Sequence, residues 1–257
     1  MQTVILCGGR GTRLSEKTGL IPKPMVEVGD YPILWHIMNI YAHYKHSDFT
    51  LALGYKANII KDYFLHFREL NSDFSINLKS GKSQYLKNPE RDWNVSLIDT
   101  GEDSMTGGRL LRLKDRLKST FMLTYGDGLS NVNIEELVKF HQSHGKLATI
   151  TVVRPPSRFG LMEFEGDQIT LFKEKPQTAD GWINGGFCIF EPGIFDYLSG
   201  DSTVLEREPF ENLATDGQLM AFRHNDFWQC MDTMRDKNYL NDLWDKKKAP
   251  WINHDLT

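Results

Sequence analysis

The stretch VILCGGRGTRLSEKTGLIPKPM, Val4–Met25, decides how this chain is read. Val4–Leu6 is a short apolar run of the kind that forms a buried strand, and glycines follow it at once. Gly8, Gly9 and Gly11 let a backbone turn tightly and approach a ligand with no Cβ in the way, so that main-chain N–H groups can point at phosphate oxygens. A glycine-rich turn that serves only chain geometry is the other reading of those positions. The cations bear on the choice. Arg10, Arg13 and Lys23 crowd one strand-to-helix connection, where they repel one another unless an anion or carboxylates lie among them. Lys23 sits in IPKPM, whose flanking prolines restrict the backbone and hold an otherwise floppy cation in place. The glycine spacing is not the G-x-G-x-x-G of a dinucleotide fold, and no G-K-[ST] closes it as a P-loop requires. A polyphosphate is the partner that this connection asks for.

Composition sets the outer limits. A chain of 257 residues, 40% hydrophobic and 12% aromatic, buries one substantial core or two closely joined ones. A formal net charge of −4 gives no long-range attraction to nucleic acid, whereas local basic clusters still suit a small anion. Cys7, Cys188 and Cys230 are odd in number, far apart and without C-x-x-C spacing, so neither a disulfide framework nor a cysteine zinc site is indicated. Reduced thiols in a cytoplasm are expected. No basic segment leads into a long apolar one at the N-terminus, and no run approaches the ~18 apolar residues of a membrane span, so a soluble chain with no membrane partner is expected.

Short β-rich runs alternate with amphipathic segments, which predicts an α/β fold: a Rossmann-like mixed, mostly parallel sheet flanked by helices. Ile33, Leu34, Ile37, Met38 and Tyr41 recur at helical spacing after Pro32. Strands are expected near Phe49–Leu53 and Val95–Ile98, a helix from about Asn58, and another at Leu110–Leu117 beyond the pair Gly107 and Gly108. TFMLTYGDG reads as a buried strand running out into a glycine-flanked carboxylate, Asp127. Asn133 and Glu136 have the spacing of a capping box, with Gly145 as the helix stop. Ala148–Val153 reads as a strand and MEFEGDQITLF as a hairpin turning at Gly166–Asp167, so antiparallel strands join the sheet in the second half. A helix closes the chain from about Thr233 to Trp244. The polar segment 79–92 reads as a mobile loop. We expect a single domain over 1–257 that changes character at about residue 130.

GGRGTRL…PKPM, YGDG, EKP and NGG, in this order, resemble the sugar-phosphate nucleotidyltransferases, which make nucleoside-diphospho-sugars from a sugar 1-phosphate and a nucleoside triphosphate. TGEDSMTGGRL and FWQCMDTMRD are similar to one branch, the glucose-1-phosphate cytidylyltransferases. The likeness runs nearly end to end and implies a nucleotide-binding half over about 1–130 and a sugar-phosphate-binding half, with the C-terminal helix, over 131–257. Two departures stand out: Cys7 replaces the usual alanine, and Glu102–Asp103 sits where smaller or differently placed polar residues are expected.

The resemblance implies CTP and α-D-glucose 1-phosphate as substrates, CDP-glucose and pyrophosphate as products, and Mg²⁺ as cofactor. It implies Lys23, Arg13 and Asp127 as catalytic residues. Leu6, Cys7, Gly8, Gly9, Arg10, Gly11, Thr12, Arg13, Lys23, Ser104, Arg109 and Gly126 would bind the nucleotide. Glu174, Lys175, Asn184 and Gly185 would bind the sugar phosphate, although Asn-Gly-Gly is also a common turn. Asp127 and Asp232 would hold the metal, hard carboxylates that suit Mg²⁺ better than zinc; Asp232 also reads as an N-cap. Arg109 is placed against the base, because a guanidinium faces cytosine's acceptors well and is unfavourable in a first helical turn unless an acceptor lies near. Thymine and uracil, with a donor at N3, are the alternative bases.

An NAD-dependent oxidoreductase would need a dinucleotide fingerprint with an acidic residue about 20 positions on; Glu27 and Asp30 are near that distance, but the glycine spacing is wrong. A non-catalytic sensor would lack a carboxylate or cation that is present here. His36, His141 and His144 read as packing or surface residues without a metal-like partner. Trp228 is the one tryptophan with a candidate place near the Asp232 loop. The apolar C-terminus and the 79–92 segment are the expected contacts of a homo-oligomer, a trimer or hexamer.

Overall fold

The computed structural model describes residues 1–11, 19–86, 91–154, 161–165, 168–173 and 181–252. Strand β1 (Thr3–Leu6) is buried along its whole length and runs directly into the glycine loop. Two short strands, β2 (Glu27–Val28) and β3 (Tyr31–Pro32), pair around Gly29, and helix α1 (Ile33–His43) follows. Strand β4 (Asp48–Leu53) leads to α2 (Ala57–Leu65) and the single turn α3 (Phe67–Leu70). Strands β5 (Phe74–Asn77) and β6 (Lys82–Tyr85) form an exposed antiparallel hairpin, so part of the polar segment expected to be a loop is a strand. Asn77 organises its turn, its Oδ1 accepting from the N–H groups of Lys79 and Ser80. A hairpin with neither face buried leaves no apolar alternation to read.

Strand β7 (Asn94–Asp99) precedes α4 (Thr106–Leu111), which starts before the glycine pair rather than beyond it. The reason is a close packing contact: a Cβ on Gly108 would lie 2.3 Å from the carbonyl oxygen of Asp201, and one on Gly107 2.7 Å from the Thr203 methyl. The same loop accepts hydrogen bonds from the helix start, Met105 N–H to Asp201 O at 2.8 Å and Gly107 N–H to Thr203 O at 2.9 Å. Next come β8 (Phe121–Tyr125), β9 (Gly128–Ser130) and α5 (Ile134–His144). Asn133 caps α5 by accepting from Glu136 N–H, and Gly145 ends it at φ +63°. Strand β10 (Ala148–Val153) is followed by β11 (Leu161–Glu165) and β12 (Gln168–Lys173), an antiparallel pair that stands apart from the main sheet. Its expected turn, Gly166–Asp167, lies outside the described residues. The chain continues through β13 (Ile183–Phe190), α6 (Glu208–Thr215), β14 (Leu219–His224), β15 (Trp228–Cys230) and α7 (Met234–Asp245).

The main sheet has the order β14-β10-β13-β8-β1-β4-β7. Only β13 runs against the others, pairing antiparallel with both β8 and β10, so the mixed, mostly parallel sheet is as expected. Alternation along β1 sends Ile5 and Cys7 into one core and Val4 and Leu6 into the other. Helix α1 covers the first face with Leu34, Ile37 and Met38; Leu110 of α4 and Phe210 and Leu213 of α6 lie in the core on the second. Burial on both faces is why the strands read as continuous apolar runs. The carboxyl ends of β1 and β8 and the amino end of β13 come to one edge, the usual ligand edge of an open α/β sheet. Among the described residues no helix is long and apolar enough to cross a membrane.

Candidate active site

A cleft of about 380 Å³ opens at that edge, lined by Leu6 to Gly11, Lys23, Pro24, Ser104 to Thr106, Arg109 and Tyr125 to Asp127. It brings together eleven of the expected nucleotide and catalytic residues: Leu6, Cys7, Gly8, Gly9, Arg10, Gly11, Lys23, Ser104, Arg109, Gly126 and Asp127. Thr12, Arg13, Glu174 and Lys175 lie outside the described residues.

Neighbouring strand ends hold the glycine loop. Cys7 N–H donates to Ala52 O at 3.0 Å, Gly126 N–H to Leu6 O at 3.2 Å, and Tyr55 N–H to Gly8 O at 3.1 Å. At Gly9 a side chain would meet nothing within 4 Å, so its backbone faces open space. Arg10, exposed, reaches Glu102 at 3.3 Å and Asp103 at 3.0 Å. The two acidic residues that depart from the family pattern are thus the partners of a loop cation.

Arg109 is 4% exposed, and its guanidinium is engaged by the protein at the wall of the cleft. One terminal nitrogen is shared among Leu53 O at 3.1 Å, Thr100 Oγ1 at 3.1 Å and Gly101 O at 2.6 Å. The other donates to Gly8 O and Glu102 O, both at 2.9 Å. The acceptors that relieve an arginine in so short a helix are therefore four carbonyls and the Thr100 hydroxyl, from three loops that the side chain ties together. Gly8 and Gly54 make room for it, since a Cβ at either would fall 2.1 or 2.3 Å from guanidinium atoms.

Lys23 is 8% exposed and stands at the start of a short 3₁₀ turn, Lys23–Met25, entered through Pro22 in an extended conformation. Its Nζ lies 2.7 Å from Asp127 Oδ2 and 2.6 Å from Asp232 Oδ1. Burial alone pulls its pKa down, but the charges and hydrogen bonds of Asp127 and Asp232 outweigh burial and hold the ammonium above the ordinary lysine range. The two aspartates are neighbours because β9 and β15 pair with Gly128 opposite Cys230, and Met231 N–H donates to Asp127 O at 2.8 Å. Thr233, not Asp232, caps α7 in a full capping box with Asp236. That box also fixes Asp232, whose N–H donates to Asp236 Oδ2 at 3.1 Å. Gly126 is needed for space, a Cβ there falling 2.9 Å from Pro24, whereas one at Gly128 would meet its nearest neighbour at an ordinary 3.9 Å.

Asn184 and Gly185 lie inside β13 rather than in a turn. The pairing register of β10 with β13 shifts between Ile150 and Val152, and a Cβ on Gly185 would meet Val153 at 2.8 Å. Asn184 Oδ1 accepts from Gly186 N–H at 2.8 Å, and its Nδ2 reaches the Tyr125 hydroxyl at 3.4 Å. Trp228 donates from Nε1 to Gly185 O at 2.7 Å and so braces that strand. Burial, reinforced by Asp127, pushes the Cys7 thiol up, and burial with Asp127 and Asp232 does the same to Cys230. Both stay protonated beside the cleft. Tyr125, Thr106 and Glu206 escaped the sequence reading. The aromatic residue immediately before the Gly126–Asp127 turn was a signal for the first; Glu206 had none.

Comparison with known proteins shows the family and the fold. Residues 2–236 match the nucleotidyl transferase family. The chain is 47% identical over 253 residues to the glucose-1-phosphate cytidylyltransferases of Salmonella typhi and Salmonella typhimurium, with 98% of each chain covered. It is 31% identical to the mannose-1-phosphate guanylyltransferase catalytic subunit beta of Xenopus tropicalis, of whose length it spans 64%. Among solved structures, HddC of Yersinia pseudotuberculosis superposes with a TM-score of 0.70 at 23% identity, covering 95% of this chain and 99% of that one. A UDP-glucose pyrophosphorylase complexed with UDP-glucose gives 0.68 at 16% identity, covering 96% and 98%. The chain belongs to the nucleotidyl transferase family and, within it, to the glucose-1-phosphate cytidylyltransferases.

Proposed function

We propose that the cleft transfers the cytidylyl group of CTP to α-D-glucose 1-phosphate, giving CDP-glucose and pyrophosphate. The 47% identity to cytidylyltransferases over almost the whole of both chains supports this reading. The observation that carries it is the buried ammonium of Lys23 held between Asp127 and Asp232 beside an open glycine loop. In the reaction an oxygen of the sugar phosphate bonds to the α-phosphorus while the bond to the β-phosphate oxygen breaks, and pyrophosphate leaves with that electron pair.

The chain's own groups have defined parts in this. Backbone N–H groups around Gly9 and Gly11 receive the phosphates. Lys23, pre-oriented and fully charged, faces the negative charge that moves onto the leaving group. Arg13 joins it, and Lys175 and Glu174 hold the sugar phosphate and sugar hydroxyls, by their positions in the motifs. Asn184 and Gly185 bound the sugar side. Arg109 serves the nucleotide through the Gly8 and Glu102 loops that it ties, with Ser104 beside the base. Neither buried thiol acts as a nucleophile.

Asp127 and Asp232 fit Mg²⁺. Two adjacent carboxylates already recruit a buried cation, and their donors are hard oxygens. Among the described residues no three metal-ligating side chains gather, as suits an ion that takes its other ligands from phosphates and water. When bound, Mg²⁺ supplies Lewis-acid neutralisation of the phosphate oxygens.

The three free cysteines support a reducing, cytoplasmic setting. The exposed hairpin carrying Ile76 and Leu78, 50% and 89% exposed, supports contact between copies in a homo-oligomer such as a trimer or hexamer. Pyrophosphate release measured with CTP, UTP, dTTP, ATP and GTP against several sugar 1-phosphates tests the reading. CTP with glucose 1-phosphate should lead, and a clear preference for UTP or dTTP would move the base assignment.

A further inference from the structure

One carboxylate on the wall of the cleft has no part in the reaction as derived. Glu206 Oε2 accepts from the Thr106 hydroxyl at 2.6 Å, and Oε1 accepts from the Tyr125 hydroxyl. Thr106 Oγ1 in turn accepts from Leu205 N–H at 2.9 Å. Tyr125 is pinned: its ring lies against Gly186, at φ +83°, where a Cβ would fall 2.7 Å from the ring. A phenol and an alcohol both carry their protons at neutral pH, so each hydroxyl is the donor in its bond to the carboxylate. Tyr125 and Thr106 both line the cleft.

A hydroxyl has one proton to give and two lone pairs, and an ionised carboxylate only accepts. With both protons committed to Glu206, the two hydroxyls face the cleft as acceptors. Among the described residues the Tyr125 oxygen receives only the long, 3.4 Å contact from Asn184 Nδ2. Phosphate oxygens, which also only accept, are disfavoured there, and the charge on Glu206 adds to that. Sugar ring hydroxyls and the amino group of cytosine are the substrate groups that can donate, and the ring hydroxyls fit here because Asn184, which bounds the sugar side, reaches the same Tyr125 oxygen. We propose that Glu206 is a positioning residue that fixes Tyr125 as the acceptor for a substrate ring hydroxyl, on the ribose of the nucleotide or on the pyranose of the sugar phosphate. This rests on the transfer reaction proposed above and adds a specificity contact to it.

The test compares kcat/KM for wild type, Tyr125→Phe and Glu206→Gln. The substrates are CTP against its 2′-deoxy and 3′-deoxy analogues, and glucose 1-phosphate against its monodeoxy analogues. In wild type one deoxy substrate should fall about tenfold below its parent, the size of one hydrogen bond to a ligand, and its identity tells ribose from pyranose. Tyr125→Phe should lower the parent to the level of that analogue and leave the analogue itself nearly unchanged. Glu206→Gln should reduce the discrimination, because an amide has one oxygen where the carboxylate has two and can no longer hold both hydroxyl protons as the carboxylate does. A merely structural role would lower parent and analogue together. Equal losses on all substrates, wild-type discrimination retained in Tyr125→Phe, or no discrimination in wild type would each overturn the proposal while leaving the transfer reaction standing. Wild type inactive on the parent pair would overturn both. Should Glu206→Gln fail to fold, Tyr125→Phe decides alone.

Discussion

Lys23 and Asp232, 209 residues apart in the chain, meet at 2.6 Å. The contact joins the first strand-to-helix connection to the loop that follows the last strand, and Asp127 completes it from the middle of the chain at 2.7 Å. The site is thus a closure of the whole chain on one buried cation.

Removing that cation should change how the protein responds to metal. In Lys23→Ala, Asp127 and Asp232 face each other with no positive charge between them, and like charges in proximity disfavour ionisation. The variant should be less stable than wild type in EDTA and should gain more from Mg²⁺. Thermal unfolding with and without millimolar Mg²⁺ checks this; an equal gain in both proteins would show that the aspartates do not hold the ion.

Arg109 should matter for both stability and nucleotide binding. Arg109→Lys offers one ammonium where a planar fork now serves five oxygens, so several acceptors lose their donor. We expect a cost of about 2–4 kcal/mol in urea unfolding and a KM for nucleotide raised by roughly tenfold or more. Gly54→Ala should act in the same direction, since its Cβ would collide with the guanidinium without touching substrate. A stable Arg109→Lys with wild-type KM would contradict the tether.

The pairs from Arg10 to Glu102 and Asp103 are exposed, and surface ion pairs contribute little to stability. Their expected effect is on binding, because they compete with phosphates for the loop cation. The double variant Glu102→Gln/Asp103→Asn should unfold like wild type and bind CTP about two- to fivefold more tightly at low ionic strength, with the gain fading in salt. Calorimetric titration at two salt concentrations reads this directly; weaker binding would mean that the acids serve the nucleotide instead.

His36 makes the fold sensitive to acid. Its Nε2 lies 2.8 Å from Val28 O and its Nδ1 receives the Trp251 indole N–H at 3.2 Å, so the neutral ring uses both nitrogens. Tyr31, Trp35 and Trp244 pack around it. Burial lowers its pKa from 6.5 to about 4 against a smaller opposing effect of the Val28 bond. The folded pKa is depressed, so this stability is fully present above pH 6.5 and is lost as pH falls toward 4. Its size is on the order of 3 kcal/mol. His36→Gln should flatten that part of the stability profile; an unchanged acid slope would contradict the assignment.

Much of this was legible in the sequence for a physical reason. Strands buried on both faces leave apolar runs, and Gly8 and Gly126 sit where a side chain would collide with a neighbour, so sheet, loop and glycine-flanked carboxylate could be read in order. Asp232 was ambiguous with an N-cap because the capping box belongs to Thr233, one residue on, and only the three-residue pairing of β9 with β15 brings Asp232 to Asp127. The tether made by Arg109 was not legible because four of its five acceptors are main-chain carbonyls, which carry no side-chain signature. The exposed β5–β6 hairpin and Glu206 were invisible for a related reason: neither buries a patterned face, and their partners are set by tertiary packing alone.

The central claim is that the Lys23, Asp127 and Asp232 cluster carries out nucleotidyl transfer, and it is tested most directly by the rate of pyrophosphate release from CTP on addition of glucose 1-phosphate. Wild type and Asp127→Asn should be compared at saturating Mg²⁺, with folding checked by circular dichroism. We predict CDP-glucose and pyrophosphate in equal amounts from wild type and a rate lower by about 10²–10³-fold in the folded variant. Equal rates in the two proteins, or no release by wild type, would contradict it.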